Sequence, residues 1–228
     1  MRLNDAFLFF AEKNQLIFLI FVYFFNNRFK NVQAFLHIMK TFSKEEVLMN
    51  HLNVKDSIID GEVFVYPTDT IYGIGCSALN KECVDKIRKL KKREEDPFSI
   101  IAPSKEWIHK HCEVSEEAKK WIDKLPGPYT LILKLKNKDV VAPNVNPGKD
   151  TLGVRIPKHW ISKVVEELDV PIITTSANQH GKMFMTSMDN LDPEIKKGLH
   201  FIVYEGEIKG KPSKIIHLDS AETKIRER

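Results

Sequence analysis

Short apolar runs alternate with segments of helical periodicity along most of the chain. Between the runs, apolar residues recur three or four positions apart, as at Val84, Ile87 and Leu90. This alternation predicts one α/β domain built around a mixed sheet. The runs predict strands at residues 62–66, 98–102, 130–135, 152–156, 171–175, 200–204 and 214–218.

Residues that favour helix ends predict where the helices lie. Serine, asparagine and aspartate cap the first turn, proline suits the first helical position, and glycine often follows the last. Ser43 and Glu46 have the spacing of a capping box before a short helix. The other helices are predicted at 81–92 after Asn80, 105–111 after Ser104, 116–124 after Ser115 and about 158–168 after Pro157, with a short one opened by Asp192-Pro193 and ended by Gly198.

The first 38 residues differ from the rest. They contain ten consecutive apolar residues, Leu16–Phe25, whereas a membrane span needs about 20, and no small-residue cleavage site follows. Three interpretations stay open: a hydrophobic helix lying on the protein body or a membrane, a weak membrane anchor, or translation that begins at Met39. We expect residues 1–38 to be dispensable, the domain to span residues 44–228, and no membrane partner.

Composition narrows the class of protein. Hydrophobic residues make up 43% of the chain and charged residues 29%, as in ordinary soluble globular proteins. The net charge of +4 suits an anionic small molecule or RNA as a partner. Three cysteines without CxxC spacing argue against a disulfide framework and a structural zinc site, and predict a reducing, cytoplasmic location.

Two clusters rich in hydroxyl groups follow predicted strands. In "YPTDTIYGIG", two threonines flank Asp69 and two glycines follow; in "PIITTSANQHG", hydroxyl and amide side chains follow a buried strand. A capped turn is the simpler explanation of each. However, the carboxyl ends of strands hold ligands in open α/β sheets, and glycines let a ligand approach the backbone. Both clusters therefore indicate a small-molecule pocket.

Two basic positions are candidates for binding anionic groups. Lys91 and Arg93 end the helix predicted at 81–92, where they either complement the helix dipole in solvent or clamp phosphates. Arg155 interrupts an apolar strand, and alternation puts it on the face opposite Leu152 and Val154. That face is expected to be the open one, where Arg155 could receive a carboxylate; a surface-facing arginine is the alternative.

The sequence has neither the GxxxxGK[ST] nor the GxGxxG nucleotide-binding pattern. The order of its clusters, however, resembles the YrdC-like family of threonylcarbamoyl-AMP synthases, over about residues 44–228 and in the short, single-domain form. That family's hallmark is a Lys-x-Arg pair followed much later by Ser-x-Asn. The segments that carry the resemblance are "YPTDTIYGIG", "IRKLKKR", "LPGPYTLIL", "TLGVRIP", "TTSAN" and "KPSKIIHL".

The resemblance implies a fold and a reaction. The fold would be a twisted mixed sheet with flanking helices and an open concave basic face. ATP, L-threonine and bicarbonate or CO2 would give L-threonylcarbamoyl-AMP and pyrophosphate, with Mg2+ accompanying the ATP. The product would pass to the tRNA threonylcarbamoyl transferase machinery for t6A modification of tRNA at position 37, and tRNA or double-stranded RNA binding is possible.

The resemblance also implies roles for individual residues. Lys91, Arg93, Ser176 and Asn178 match the hallmark and are the candidate catalytic residues. L-Threonine would be bound by Thr70, Arg155, Thr174 and Ser213, and ATP by Lys91, Arg93, Thr151, Ser176, Asn178 and Arg226.

The chain departs from the family pattern at several positions. Asp69 stands where the family usually has glutamate, and Phe184 where it has a serine. The loop after Arg93 is one residue shorter than usual. Two other functions therefore stay open: a nucleotide-binding paralogue with a different product, and an RNA-binding module without synthase activity. Incubation with ATP, threonine and bicarbonate distinguishes the synthase from both.

Overall fold

Ten strands of the described residues form one mixed sheet. The computed structural model describes residues 39–49, 51–220 and 222–227. The strands are β1 Lys40–Phe42, β2 Phe64–Tyr66, β3 Gly73–Gly75, β4 Ser99–Ile101, β5 Tyr129–Lys134, β6 Thr151–Arg155, β7 Ile172–Ser176, β8 Phe201–Val203, β9 Lys214–His217 and β10 Lys224–Arg226.

Helices connect many of these strands. The α-helices of the described residues are α1 Lys44–Met49, α2 His51–Ile59, α3 Lys81–Lys91, α4 Lys105–His111, α5 Glu116–Asp123, α6 Ile161–Leu168 and α7 Pro193–Lys197, and 3-10 turns lie at Lys138–Val140 and Met188–Asn190.

The strand order is β1-β8-β2-β3-β7-β4-β6-β5-β9-β10. Four neighbouring pairs are parallel: β1 with β8, β2 with β8, β4 with β6, and β5 with β9. The remaining neighbours are antiparallel. The predicted mixed α/β sheet with flanking helices is confirmed. The strands β1, β3 and β10 were not predicted, because their residues, KTF, GIG and KIR, do not belong to an apolar run of the sequence.

The predicted helix caps are present. The side chains of Asn80, Ser104 and Ser115 accept hydrogen bonds from backbone N–H groups in the first turns of α3, α4 and α5. Ser43 Oγ accepts from the Glu46 N–H at 3.2 Å, and the Glu46 carboxylate accepts from the Ser43 N–H at 2.7 Å, which completes the capping box before α1. Local hydrogen-bonding preferences thus fix these helix starts.

The two faces of the sheet carry different cores, because side chains alternate along each strand. Val65, Ile100 and Ile173 point to the face that packs on α3, α4 and α5. On the other face, Phe64 and Ile101 belong to a second core with α1, α2 and α6. The strand residues of this second core come from β2, β8 and one end each of β4 and β7. Further along β4 and β7, the second face becomes polar.

The extension predicted at residues 1–38, with its apolar run at 16–25 and its three interpretations, lies outside the described residues. Of the helices that are described, none has the length and apolar character needed to cross a membrane. The residues from Met39 onward form one compact unit, and β1 at Lys40–Phe42 already pairs with β8. The sheet therefore includes residues before position 44, where the domain was predicted to begin.

The division between core and surface gives a stability prediction. Ile100 is fully buried between β6 and β7, whereas Ile225 on the edge strand β10 is 57% exposed. Ile100→Ala should lower the free energy of unfolding by about 2–5 kcal/mol, because it leaves a cavity. Ile225→Ala is the matched control and should cost about 0.5 kcal/mol or less. Urea unfolding measures both, and equal losses would contradict this assignment of the core.

Candidate active site

A pocket opens on the second face of the sheet. It encloses about 530 Å³ of space, part of which is open to solvent. Hydroxyl groups and one guanidinium dominate its lining, with two aromatic rings and the backbone of the β2–β3 loop. The lining residues are Thr68, Thr70, Ile71, Tyr72, Gly73, Ser99, Thr130, Arg155, Thr174, Thr175, Ser176, Phe184, Pro212 and Ser213.

Strand alternation explains why this part of the sheet is polar. Ile101 of β4 lies beside Ile172 of β7, but two residues away Ser99 lies beside Thr174. Both pairs point to the second face, opposite Ile100. A change of residue type within two positions therefore turns an apolar core into the floor of a polar pocket.

Arg155 is the buried cation of this pocket. Its residue is 5% exposed, and its Nη2 donates to Asp69 Oδ1 at 2.6 Å. Nη1 also donates to Thr70 Oγ1 at 3.3 Å. The predicted strand face of Arg155 is confirmed, because Leu152 and Val154 lie in the core of the opposite face. The alternative of a surface-facing arginine is wrong.

One donor of Arg155 is left without a partner. Its Nε–H is buried and makes no hydrogen bond to any described residue. Burial lowers the pKa of the guanidinium, while the charge of Asp69 raises it, and an arginine stays charged in proteins. Since an unsatisfied buried donor costs free energy, this N–H is a candidate contact for an anionic ligand.

Thr70 and Arg155 are neighbours in the structure. The 3.3 Å contact between Arg155 Nη1 and Thr70 Oγ1 puts these two predicted threonine-binding residues side by side, and not on opposite walls of the pocket. Thr70 Oγ1 also lies 2.9 Å from Thr68 Oγ1, which donates to the Ile71 carbonyl at 2.7 Å. The two threonines thus hold the β2–β3 loop beside the guanidinium.

Residues 205–213 lie against the β2–β3 loop and β3, and the last two of them, Pro212 and Ser213, line the pocket. The Tyr72 hydroxyl donates to the Gly206 carbonyl at 2.7 Å and accepts from the Glu205 N–H at 3.0 Å. Burial raises the pKa of Tyr72 to about 12, so its hydroxyl stays protonated at neutral pH. A Cβ on Gly210 would lie 1.6 Å from the Thr70 carbonyl oxygen, so glycine permits this close approach. The segment ends at Ser213, whose Oγ lies 2.7 Å from Thr130 Oγ1.

Lys91 lies against the turn after β7. Its side chain is buried, and Nζ donates to the carbonyls of Ser176 at 2.6 Å and Asn178 at 2.7 Å. These bonds hold the turn after β7 against the end of α3. The alternative of a solvated helix end is therefore wrong for Lys91, while its binding of phosphate stays a prediction.

Asn178 belongs to the same turn. Its Nδ2 donates to the carbonyls of Gln179 at 2.8 Å and Lys182 at 2.6 Å. Its Oδ1 is buried and accepts no hydrogen bond from the described residues. Asn178 does not line the pocket, whereas Ser176 does.

Arg93 lies in a loop held by another arginine. Arg88 Nη1 donates to the carbonyls of Arg93, Glu94 and Asp96 at 2.8–3.1 Å, and its guanidinium lies 4.6 Å from the centre of the Phe98 ring. Arg93 Nη2 donates to the Pro97 carbonyl at 2.7 Å. The Arg93 side chain is only 24% exposed, so it does not extend freely into solvent as the helix-dipole alternative requires.

Two predicted ATP contacts lie away from the pocket lining. Thr151 is at the first residue of β6, four positions before Arg155, which is about 13 Å along a strand. Arg226 is exposed on the edge strand β10. The structure therefore groups five of the predicted residues in one pocket, and these are Thr70, Arg155, Thr174, Ser176 and Ser213.

Sequence reasoning missed several lining residues. Ser99 and Thr130 are polar residues that point to the second face from largely apolar strands, as Arg155 does. The same alternation that singled out Arg155 could have identified them. Phe184 was noted only as a departure from the family pattern, and it lines the pocket.

The described residues contain no group of three or more His, Cys, Asp or Glu side chains that could hold a metal ion. The pocket instead offers neutral hydroxyl oxygens. A divalent cation there would need most of its ligands from a bound substrate.

Comparisons with known proteins show which family the chain matches. The family model Sua5_yciO_yrdC, described as "Telomere recombination", matches residues 56–228. A relative from Methanocaldococcus jannaschii is 41% identical over 172 residues, which cover 73% of this chain and 79% of that protein. A Vibrio campbellii protein named threonylcarbamoyl-AMP synthase is 30% identical and covers 74% of this chain and 94% of its own length.

Solved structures show the same fold. The Pyrococcus abyssi Sua5 structure complexed with L-threonine is 30% identical with a TM-score of 0.74, over 82% of this chain and 56% of that one. This chain thus spans little more than half of the longer protein. Escherichia coli YciO, at 21% identity and a TM-score of 0.74, supports the fold alone.

The position of Lys91 gives a testable prediction. Lys91→Met removes the amine and leaves the buried Asn178 carbonyl without its donor, which should cost about 1–3 kcal/mol, whereas the Ser176 carbonyl keeps the Asn178 N–H at 2.9 Å. Hydrogen exchange at residues 178–182 should become faster, because the turn is then held to α3 by the bond from the His180 N–H to the Lys91 carbonyl without the two side-chain bonds. Lys89→Met, an exposed lysine of the same helix, is the control. If both variants unfold at the same urea concentration, Lys91 does not hold this turn.

Proposed function

The chain belongs to the Sua5/YciO/YrdC family, and on this premise we propose that it makes L-threonylcarbamoyl-AMP from L-threonine, bicarbonate or CO2, and ATP, with release of pyrophosphate. The observation that carries this function is the buried guanidinium of Arg155, which has an unpaired Nε–H and borders a hydroxyl-lined pocket. Relatives that carry the name of this synthase, and a relative whose structure contains L-threonine, support the same substrate.

Arg155 would bind the α-carboxylate of threonine. A charged N–H of the guanidinium forms a strong hydrogen bond with a carboxylate oxygen, and exclusion of water strengthens this pairing. The hydroxyls of Thr70, Thr174 and Ser213 surround the same space and suit the ammonium or amine and the hydroxyl of the amino acid. Binding in this way fixes the amine relative to the incoming carboxyl group.

The chemistry needs charge stabilisation and positioning. The threonine amine adds to CO2 and loses a proton to solvent to form a carbamate, and a carbamate oxygen then attacks the α-phosphorus of ATP while the bond to pyrophosphate breaks. The carbamate, the threonine carboxylate and the triphosphate all carry negative charge, so fixed N–H and O–H donors lower the barrier more than a nucleophilic side chain would. Ser176 lines the pocket beside Thr174, and Lys91, Arg93 and Arg226 are the candidate cations for phosphate contacts.

We propose that Mg2+ enters with ATP. The hydroxyl-rich lining fits an ion whose ligands are mainly phosphate and water oxygens. When bound, the ion would offset the charge of the triphosphate. We further propose that the product serves t6A modification of tRNA in the cytoplasm, delivered to the tRNA threonylcarbamoyl transferase machinery. The net charge of +4 supports a contact with RNA. The three free, buried cysteines support a reducing compartment.

Mass spectrometry tests the reaction directly. The protein is incubated with ATP, L-threonine and ¹³C-bicarbonate, and we expect threonylcarbamoyl-AMP that carries one ¹³C, formed together with one pyrophosphate. A site that hydrogen-bonds the threonine hydroxyl should reject L-valine by up to about 10⁴-fold, and L-serine by only about 10- to 200-fold.

Arg155→Lys is the informative variant for this reaction. It keeps a charge beside Asp69 but loses the planar fork, so the threonine concentration needed for half-maximal rate should rise about 10- to 100-fold. The requirement for ATP should stay the same. Pyrophosphate release without a ¹³C-labelled product, or equal use of valine and threonine, would contradict the proposed function.

A further inference from the structure

We infer that Asp69 is a positioning residue that sets the orientation in which Arg155 meets the substrate carboxylate. This inference rests on the proposed function, because it assumes that threonine is the ligand of Arg155. Asp69 itself is not part of the pocket lining, whereas Arg155 is. The carboxylate of Asp69 therefore acts on the pocket through the guanidinium.

The two oxygens of Asp69 have separate partners. Oδ1 accepts from Arg155 Nη2 at 2.6 Å, and Oδ2 accepts from the Lys158 backbone N–H at 2.9 Å. The side chain of Asp69 is 11% exposed and that of Arg155 is 6% exposed, so this pair is largely shielded from water. A backbone amide thus fixes the carboxylate, and the carboxylate fixes the guanidinium.

This arrangement leaves part of the guanidinium available. If both oxygens of Asp69 bound Arg155, they would occupy the two parallel N–H groups that a ligand carboxylate uses. Oδ2 is bound to Lys158 instead, and Arg155 Nε–H has no partner among the described residues. The single contact from Asp69 holds the guanidinium and still leaves a buried donor for the substrate.

Two other acidic residues have partners other than Arg155. Glu205 is bonded to His159 and Trp160, and Asp96 is 3.5 Å from Arg93. Among the acids of the described residues that form ion pairs, Asp69 is the one paired with Arg155. Its loss should therefore affect the carboxylate contact selectively.

Asp69→Asn tests this selectivity. The amide has one acceptor oxygen for two donors, so either Arg155 or the Lys158 N–H loses its partner. Calorimetric titration with L-threonine and with L-threonine amide, which lacks the carboxylate, measures the preference for the carboxylate. The wild type should prefer L-threonine. In Asp69→Asn, the affinity for L-threonine should fall by up to about 100-fold, as for a misplacement of about 1 Å, while the affinity for the amide stays the same.

Asp69→Glu is the second variant, and it keeps both oxygens and the charge. It should retain most of the preference for L-threonine over the amide, even if Asp69→Asn fails to fold. If Asp69→Glu loses the whole preference for L-threonine over L-threonine amide, the inference is overturned. Glu167→Gln is the control, because it removes the partner of Lys55 in a surface ion pair on α2 and α6.

The outcomes separate the two proposals. If wild-type protein binds neither ligand, the proposed threonine site is wrong, and the inference fails with it. If the wild type prefers L-threonine and folded Asp69→Asn shows the same preference, Asp69 does not position Arg155. A loss of affinity for both ligands by the same factor would show a general structural role and would also overturn the inference. ATP binding should be unchanged in every variant and serves as the internal reference.

Discussion

The buried charge of Arg155 is the interaction on which the arrangement of the pocket depends. A guanidinium removed from water must be matched by a carboxylate and by hydrogen-bond acceptors, or the fold loses several kcal/mol. Asp69 and Thr70 of the β2–β3 loop accept hydrogen bonds from the guanidinium, and the Lys158 N–H donates to the Asp69 carboxylate. The charge on one strand therefore determines where a loop from another part of the chain must lie.

Two other cations serve as internal supports. Lys91 holds the turn after β7 by two carbonyls, and Arg88 holds the loop after α3 by three carbonyls through Nη1. Both cations are buried, so each satisfies backbone groups that regular secondary structure leaves unpaired. These two loops are thus fixed by buried cations, and of the two only Lys91 was predicted from the sequence to bind phosphate.

Local and periodic features were predictable from the sequence, but long-range partners were not. The caps at Asn80, Ser104 and Ser115 and the strand face of Arg155 followed from spacing. The burial of Lys91 could not follow from spacing, because its acceptors lie 85 and 87 residues away in the chain. The contact between Thr70 and Arg155 likewise depends on which strands are neighbours. The order β7-β4-β6 is a property of the whole fold.

A crystal structure of the protein with L-threonine is the most direct test of the central claim that Arg155 receives the substrate carboxylate. We predict that one carboxylate oxygen lies about 3 Å from Arg155 Nε, within hydrogen-bonding distance, while the contact between Arg155 Nη2 and Asp69 Oδ1 stays in place. Threonine bound elsewhere, or bound in this pocket with its carboxylate away from Arg155, would contradict the account.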